Sequence, residues 1–178
     1  GAIAGINGGG FADENGVGNG STPLGIVIQN GELRYGSPGT RAIVMGFDRK
    51  NVFRVGSMTA QEALDMGIRD AVSFSPALVV NGKPAEFVGT GGGLNPRTAI
   101  GQREDGSVLL LVIEGRQPSS IGASYKDLVD LMVEYGAVNA ANLDGGSSSM
   151  LYYEGELLTS CASLYGPRKI PSAFLVLE

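Results

Sequence analysis

The chain contains no histidine. Ser-His-Asp and Cys-His nucleophile chemistry is therefore excluded, as is every histidine-ligated metal site. Acid–base work falls to Asp, Glu, Lys, Tyr or Cys. Any metal would sit among oxygens, which points to calcium, magnesium or manganese. Cys161 is the only cysteine, so no internal disulfide forms. No basic neighbour in sequence activates it, and it reads as a buried or incidental thiol. The longest apolar run, Val108–Ile113, is far too short to cross a bilayer. Positive charge is also scarce. A net charge of −5 argues against nucleic acid as a partner, because phosphate-backbone binding needs a cationic face. No signal peptide is present. The chain opens abruptly on Gly-Ala-Ile-Ala-Gly-Ile-Asn, which reads as a core that lost an N-terminal segment. The absent signal therefore says nothing about export.

What is present is an ordinary folded composition, 43% hydrophobic and 17% charged, of a length that predicts one domain over residues 1–178. The 29 glycines follow no collagen-like period, so they mark turns and tight loops. Ala2–Ile6 is a strand candidate, broken by Asn7-Gly8-Gly9-Gly10-Phe11. Asp13–Thr22 reads as a loop. Leu24–Gln29 and Glu32–Tyr35 flank Asn30-Gly31, the strongest short hairpin signal. Arg41–Phe47 and Asn51–Val55 predict a second hairpin. Thr59 and Glu62 form a capping box for a helix that ends near Met66 and Gly67. Ala77–Val80 and Pro84–Val88 flank Asn81-Gly82. Gly89–Leu94 is glycine-rich but no dinucleotide fingerprint, since Pro96 follows and no helix does. Arg97–Arg103 and Ser107–Glu114 pair across Asp105-Gly106. Val108–Ile113, apolar at every position, predicts a central strand covered on both faces. Leu128, Leu131, Met132 and Tyr135 give a second helix its apolar face over Ser124–Tyr135, with Gly136 as its stop. Leu151–Tyr153 and Ser172–Leu177 are the last strands. Tyr152, Tyr153 and Tyr165 read as core or rim residues. The sum is an α+β domain: a largely antiparallel or mixed twisted sheet with two main helices.

Polar motifs follow or interrupt the apolar strands at five places. They are Asn7-Gly8-Gly9-Gly10-Phe11, Asn95-Pro96-Arg97-Thr98-Ala99-Ile100-Gly101, Glu114-Gly115-Arg116, Asn142-Leu143-Asp144-Gly145-Gly146-Ser147-Ser148-Ser149, and Arg168-Lys169-Ile170-Pro171. Asp144-Gly145 alone reads as a tight turn. The ordered set, running over essentially the whole chain, resembles the phosphodiester glycosidase family. That is the family of the lysosomal uncovering enzyme, and its bacterial members are often associated with exopolysaccharide metabolism. Two positions depart from the family pattern. An aromatic usually stands where this chain has Gly10, and a glycine where it has Ser147.

The resemblance implies hydrolysis of a sugar-1-phosphodiester in a glycan or cell-envelope polymer, outside the cell or in its envelope. The partner is then a sugar-phosphate or phosphoglycan substrate. A phosphate leaving group calls for guanidinium forks, for which Arg97, Arg116 and Arg168 are the candidates. An oxocarbenium-like transition state calls for a carboxylate as nucleophile or base, and Asp144 with Glu114 is the predicted pair. Asn7, Gly8, Thr98, Asn142, Gly145, Gly146, Ser147, Ser148 and Ser149 would orient sugar hydroxyls, phosphate oxygens or a hydrated calcium or magnesium ion. The alternative is a noncatalytic carbohydrate- or phosphoglycan-binding module with the same pocket. A structural accessory domain would instead scatter the motif side chains over the surface.

Overall fold

The computed structural model describes residues 1–13, 20–163 and 166–178. Most of the predicted loop Asp13–Thr22, and Tyr165, lie outside the described residues. In chain order the strands are β1 (Ala2–Asn7), β2 (Val27–Gln29), β3 (Glu32–Tyr35), β4 (Arg41–Asp48), β5 (Phe53–Thr59), β6 (Ile68–Ser73), β7 (Ala77–Val80), β8 (Lys83–Pro84), β9 (Arg97–Arg103) and β10 (Val108–Ile113). They continue with β11 (Ala137–Asn142), β12 (Leu151–Tyr153), β13 (Glu156–Leu157) and β14 (Ala173–Leu177). Helix α1 (Ala60–Asp65) follows β5, and α2 (Tyr125–Glu134) precedes β11. The strands form three sheets, ordered β13-β12-β1-β14, β10-β9-β11-β7-β8 and β3-β2-β6-β4-β5. Every pairing among the described residues is antiparallel, so the fold is α+β as the sequence predicts.

Local chemistry explains most of the elements. Asn30 and Gly31 take φ of 55° and 76°, the left-handed pair that a two-residue hairpin needs between β2 and β3. Both arms of the Thr59–Glu62 capping box are present at α1. The same device opens α2, where Ser124 and Asp127 satisfy each other's backbone amides. Three apolar clusters hold the layers together. Ile6, Met45, Phe53, Val72, Ile100 and Leu143 join strands from all three sheets. Ala60 and Ala63 of α1 seal a second cluster, and Leu128, Val129 and Met132 of α2 seal a third.

Two expectations need correction. Val108–Ile113 is not a central strand. β10 is the edge of its sheet, and Val108 is 42% exposed. Its side chains alternate onto two clusters, which accounts for the continuous apolar run without a central place. Its neighbour β9 lies inside the sheet, buried from Arg97 to Gln102 despite its polar sequence. Gln102 is tolerated there because it accepts from the Phe53 amide and donates to the Asn51 and Gly106 carbonyls. β6 is a strand on which the periodicity raised no expectation. It is the middle strand of its sheet, between β2 and β4. The second correction is the predicted return strand Pro84–Val88, which shrinks to Lys83–Pro84.

Antiparallel pairing fixes where the strand ends fall. Asn7 at the end of β1 faces Ala173 at the start of β14. Asn142 at the end of β11 faces Ala99 near the start of β9. Ile113 at the end of β10 faces Arg97. The motif segments therefore leave the ends of β1, β10 and β11, and enter the starts of β9 and β14, at one rim.

Candidate active site

Asn7 is the hinge pin of that rim. It is 2% exposed, and its side chain joins three segments. Its Nδ2 donates to the Asp144 carbonyl at 2.6 Å. Its Oδ1 accepts from the Thr98 hydroxyl at 2.8 Å and from the Met150 amide at 3.1 Å. Asp144 closes the ring from the other side, its amide donating to the Gly8 carbonyl at 3.1 Å. Gly8 in turn lies so close to Ser172 that an added Cβ would stand 2.5 Å from its Oγ. Only glycine fits there, and the strap before β14 is thereby drawn against the end of β1.

Asp144 and Gly145 do not make the hairpin their dipeptide suggests. Gly146–Ser148 winds into one turn of 3-10 helix instead. The Gly146 amide donates to the Pro96 carbonyl at 2.9 Å, and the Leu143 amide to the Thr98 carbonyl at 2.8 Å. The loop is thus laced to the start of β9. The Gly145 amide donates to Asp144 Oδ1 at 3.0 Å. Burial pushes the Asp144 carboxyl above its usual range, and the nearby charge of Asp13 pushes the same way. A hydrogen bond with the Ser148 side chain, the Gly145 amide and the Arg168 charge act in opposition.

The three predicted phosphate forks separate. Arg168 stands beside this loop. Its Nη1 lies 3.3 Å from Ser147 Oγ, and its guanidinium lies over the Phe11 ring at 4.7 Å. It also pairs with Asp13, Nη1 to Oδ2 at 2.8 Å and Nη2 to Oδ1 at 2.7 Å. Arg116, at a positive φ of 57°, lays its guanidinium near Gly146 and donates to Asn95 Oδ1 at 2.8 Å. Arg97 goes elsewhere. Neighbouring residues of a strand point to opposite faces, so Thr98 reaches Asn7 while Arg97 turns away. Its guanidinium bonds to the Ala123 and Gly93 carbonyls and stacks on Tyr125 at 4.1 Å. Arg97 is a buried fastener for the segments before α2.

Glu114 is also engaged structurally. Its Oε1 accepts from the Ser160 amide at 2.5 Å, and its carbonyl accepts from the Ser120 hydroxyl. Asn142 is buried with its Nδ2 donating to the Ser75 carbonyl at 2.7 Å. Its Oδ1 and the Ser149 hydroxyl are buried without a protein partner among the described residues. Cys161 sits against the site loop, with its Sγ 3.3 Å from the Gly166 carbonyl and 3.7 Å from that of Ser147.

Both departures from the family pattern have a physical counterpart. The Phe74 ring lies against Gly10, within 2.9 Å of where a Cβ would stand, so an aromatic from another strand end fills that corner. Ser147 adds a hydroxyl that meets Arg168. Sequence reasoning missed Asp13, which lay in a polar loop with nothing to single it out, and gave no role to Phe11 or Asn95.

Among the described residues no three His, Cys, Asp or Glu side chains gather into a metal site. The two carboxylates that sense each other, Asp13 and Asp144, both interact with Arg168. That cation already supplies their counter-charge.

The chain belongs to the phosphodiester glycosidase family, whose sequence profile matches residues 1–177. It is 32% identical over 147 residues to YomE, an uncharacterised SPbeta prophage-derived protein of Bacillus subtilis, covering 77% of this chain and 23% of that protein. It is 26% identical over 155 residues to the mouse N-acetylglucosamine-1-phosphodiester alpha-N-acetylglucosaminidase, covering 75% of this chain and 29% of the enzyme. The chain thus spans less than a third of the length of these relatives. The catalytic domain of the zebrafish enzyme of that name, solved in a form auto-inhibited by its pro-peptide, shares the fold with a TM-score of 0.80 at 21% identity. That match covers 99% of this chain and 64% of the zebrafish one. No helix among the described residues is long and apolar enough to cross a membrane.

Proposed function

We propose that the chain hydrolyses the glycosidic bond of a sugar-1-phosphodiester carried by a glycan or cell-envelope polymer, outside the cell or in its envelope. The observation that carries this reading is Asp144. It is a half-buried carboxylate that senses the Arg168 charge, on a loop whose backbone Asn7 and Gly8 hold at the rim where the motif-bearing strand ends meet. Water adds to the anomeric carbon, the bond from that carbon to the phosphate oxygen breaks, and a phosphomonoester leaves. Asp144 takes the proton from the water or attacks the anomeric carbon itself. Desolvation suits it to either role, since it raises the basicity of the ionised carboxylate. Arg168 and Arg116 receive the phosphate oxygens, and a phosphomonoester is a good enough leaving group to depart with little acid help. Asn7 and Thr98 hold the Asp144 backbone in place. Glu114 supports the 158–163 segment through Ser160 and is not the second catalytic carboxylate in this reading.

The first substrate to try is an α-linked N-acetylglucosamine 1-phosphodiester, the class in the names of the mouse and zebrafish relatives. Hydrolysis in oxygen-18 water decides the chemistry. Label in the free sugar is the expected result. Label in the phosphate would mean P–O cleavage and a phosphodiesterase. Tight binding of the substrate without release of sugar would favour the noncatalytic binding module.

A further inference from the structure

Asp13 holds both terminal nitrogens of Arg168, at 2.8 and 2.7 Å. That bidentate fork is the geometry in which a guanidinium receives phosphate. The Arg168 and Asp13 side chains are only 17% and 28% exposed, so the pair sits in the site and not on open surface. Asp13 is also well anchored. Phe11, two residues before it, is buried, bridges to Pro23 and lies under the Arg168 guanidinium. The Ala12 amide donates to the Thr22 carbonyl at 2.9 Å. The anchor fixes the carboxylate in front of the arginine, while rotation about its own side-chain bonds can withdraw it.

We infer that Asp13 is a built-in competitor for phosphate on Arg168, and that it sets which anions the site accepts. This rests on the reading of Arg168 as a phosphate clamp. An anion reaches the fork only by displacing a carboxylate that is present at high effective concentration. Inorganic phosphate or a released phosphomonoester has only its phosphate contacts to set against Asp13, and is turned away. A sugar-1-phosphodiester brings contacts from its sugar as well, and can displace Asp13. The residue therefore discriminates against product and free phosphate, and it returns to Arg168 once the sugar has gone.

The test is calorimetric titration of inorganic phosphate into the wild-type chain, Asp13→Asn, and Asp13→Asn combined with Arg168→Met. Asp13→Asn keeps the side-chain shape but removes the competing charge. Phosphate binding at least about tenfold tighter than wild type is expected, because one full opposing charge leaves a partly buried site. The double variant should lose that gain. Asp13→Ser carries the same expectation if Asp13→Asn melts below working temperature. Unchanged or weaker phosphate binding in the single variants overturns the inference, and so does a gain that survives loss of Arg168. The result stands apart from the hydrolase reading. Tightened phosphate binding with no turnover of any sugar phosphodiester would sink the hydrolase and leave Asp13 the competitor. Turnover without tightening would do the reverse.

Discussion

Thr98 and Asn7 lie 91 residues apart, and the Thr98 hydroxyl donates to the Asn7 side-chain oxygen at 2.8 Å in a fully buried setting. This one bond ties the start of β9 to the end of β1, and through Asn7 to the Asp144 carbonyl. Thr98→Val keeps the shape and deletes the donor. Asn7 Oδ1 keeps the Met150 amide as a donor, so the cost is that of one buried hydrogen bond, about 0.5–1.5 kcal/mol. Thermal denaturation should show a melting point lowered by about 2–4 °C per kcal/mol for a chain of this size. An unchanged melting point would mean that the bond contributes nothing.

Arg97 and Arg168 should behave differently although both were read as phosphate forks. Arg97→Lys cannot keep two carbonyl bonds and the stack on Tyr125. Stability should fall with substrate KM little changed. Arg168→Lys should raise KM for the phosphodiester, whatever stability is lost with its fork on Asp13 and its place over Phe11. Denaturation curves and steady-state kinetics on the two variants check this, and equal KM effects would refute the separation.

The state of Asp144 gives a pH signature. Burial raises its folded-state value above the unfolded one. The stability this contributes is complete below the unfolded value and is lost as pH rises through the folded value. Asp144→Asn cannot ionise, so it should be more stable than wild type at neutral pH. The difference should vanish below the ordinary aspartate range. Melting points at acid and neutral pH compare the two directly. A wild type that stays the more stable at neutral pH contradicts the shift.

Glu114→Gln keeps an acceptor for the Ser160 amide. Its turnover should therefore stay within about tenfold of wild type, well short of the loss expected on removing a catalytic carboxylate. A drop as large as that of Asp144→Asn would return Glu114 to the catalytic pair.

Much of the frame was legible because its signals are local. Asn30-Gly31, the Thr59–Glu62 box and the apolar face of α2 each specify their element within a few residues. Strand rank was not legible. β9 lies inside its sheet because Gln102 and Thr98 find partners from distant strands, and β10 is an edge despite its apolar run. β6 hid behind Arg69 and Asp70, which pair with each other while Ile68, Ala71 and Val72 enter the core. In the site, motif order brought Asn7, Asp144 and Arg168 to notice. The facing of Arg97 depended on strand pleat. Asp13 depended on a partner 155 residues away, which no local pattern encodes.

The central claim is that Asp144 does the chemistry. Its most direct test is the single-turnover release of sugar from a 1-phosphodiester by wild type and by Asp144→Asn, with substrate binding measured on both. The account predicts intact binding and a rate lower by on the order of 10³-fold in the variant. A variant that binds substrate and releases sugar within a few-fold of the wild-type rate would contradict it.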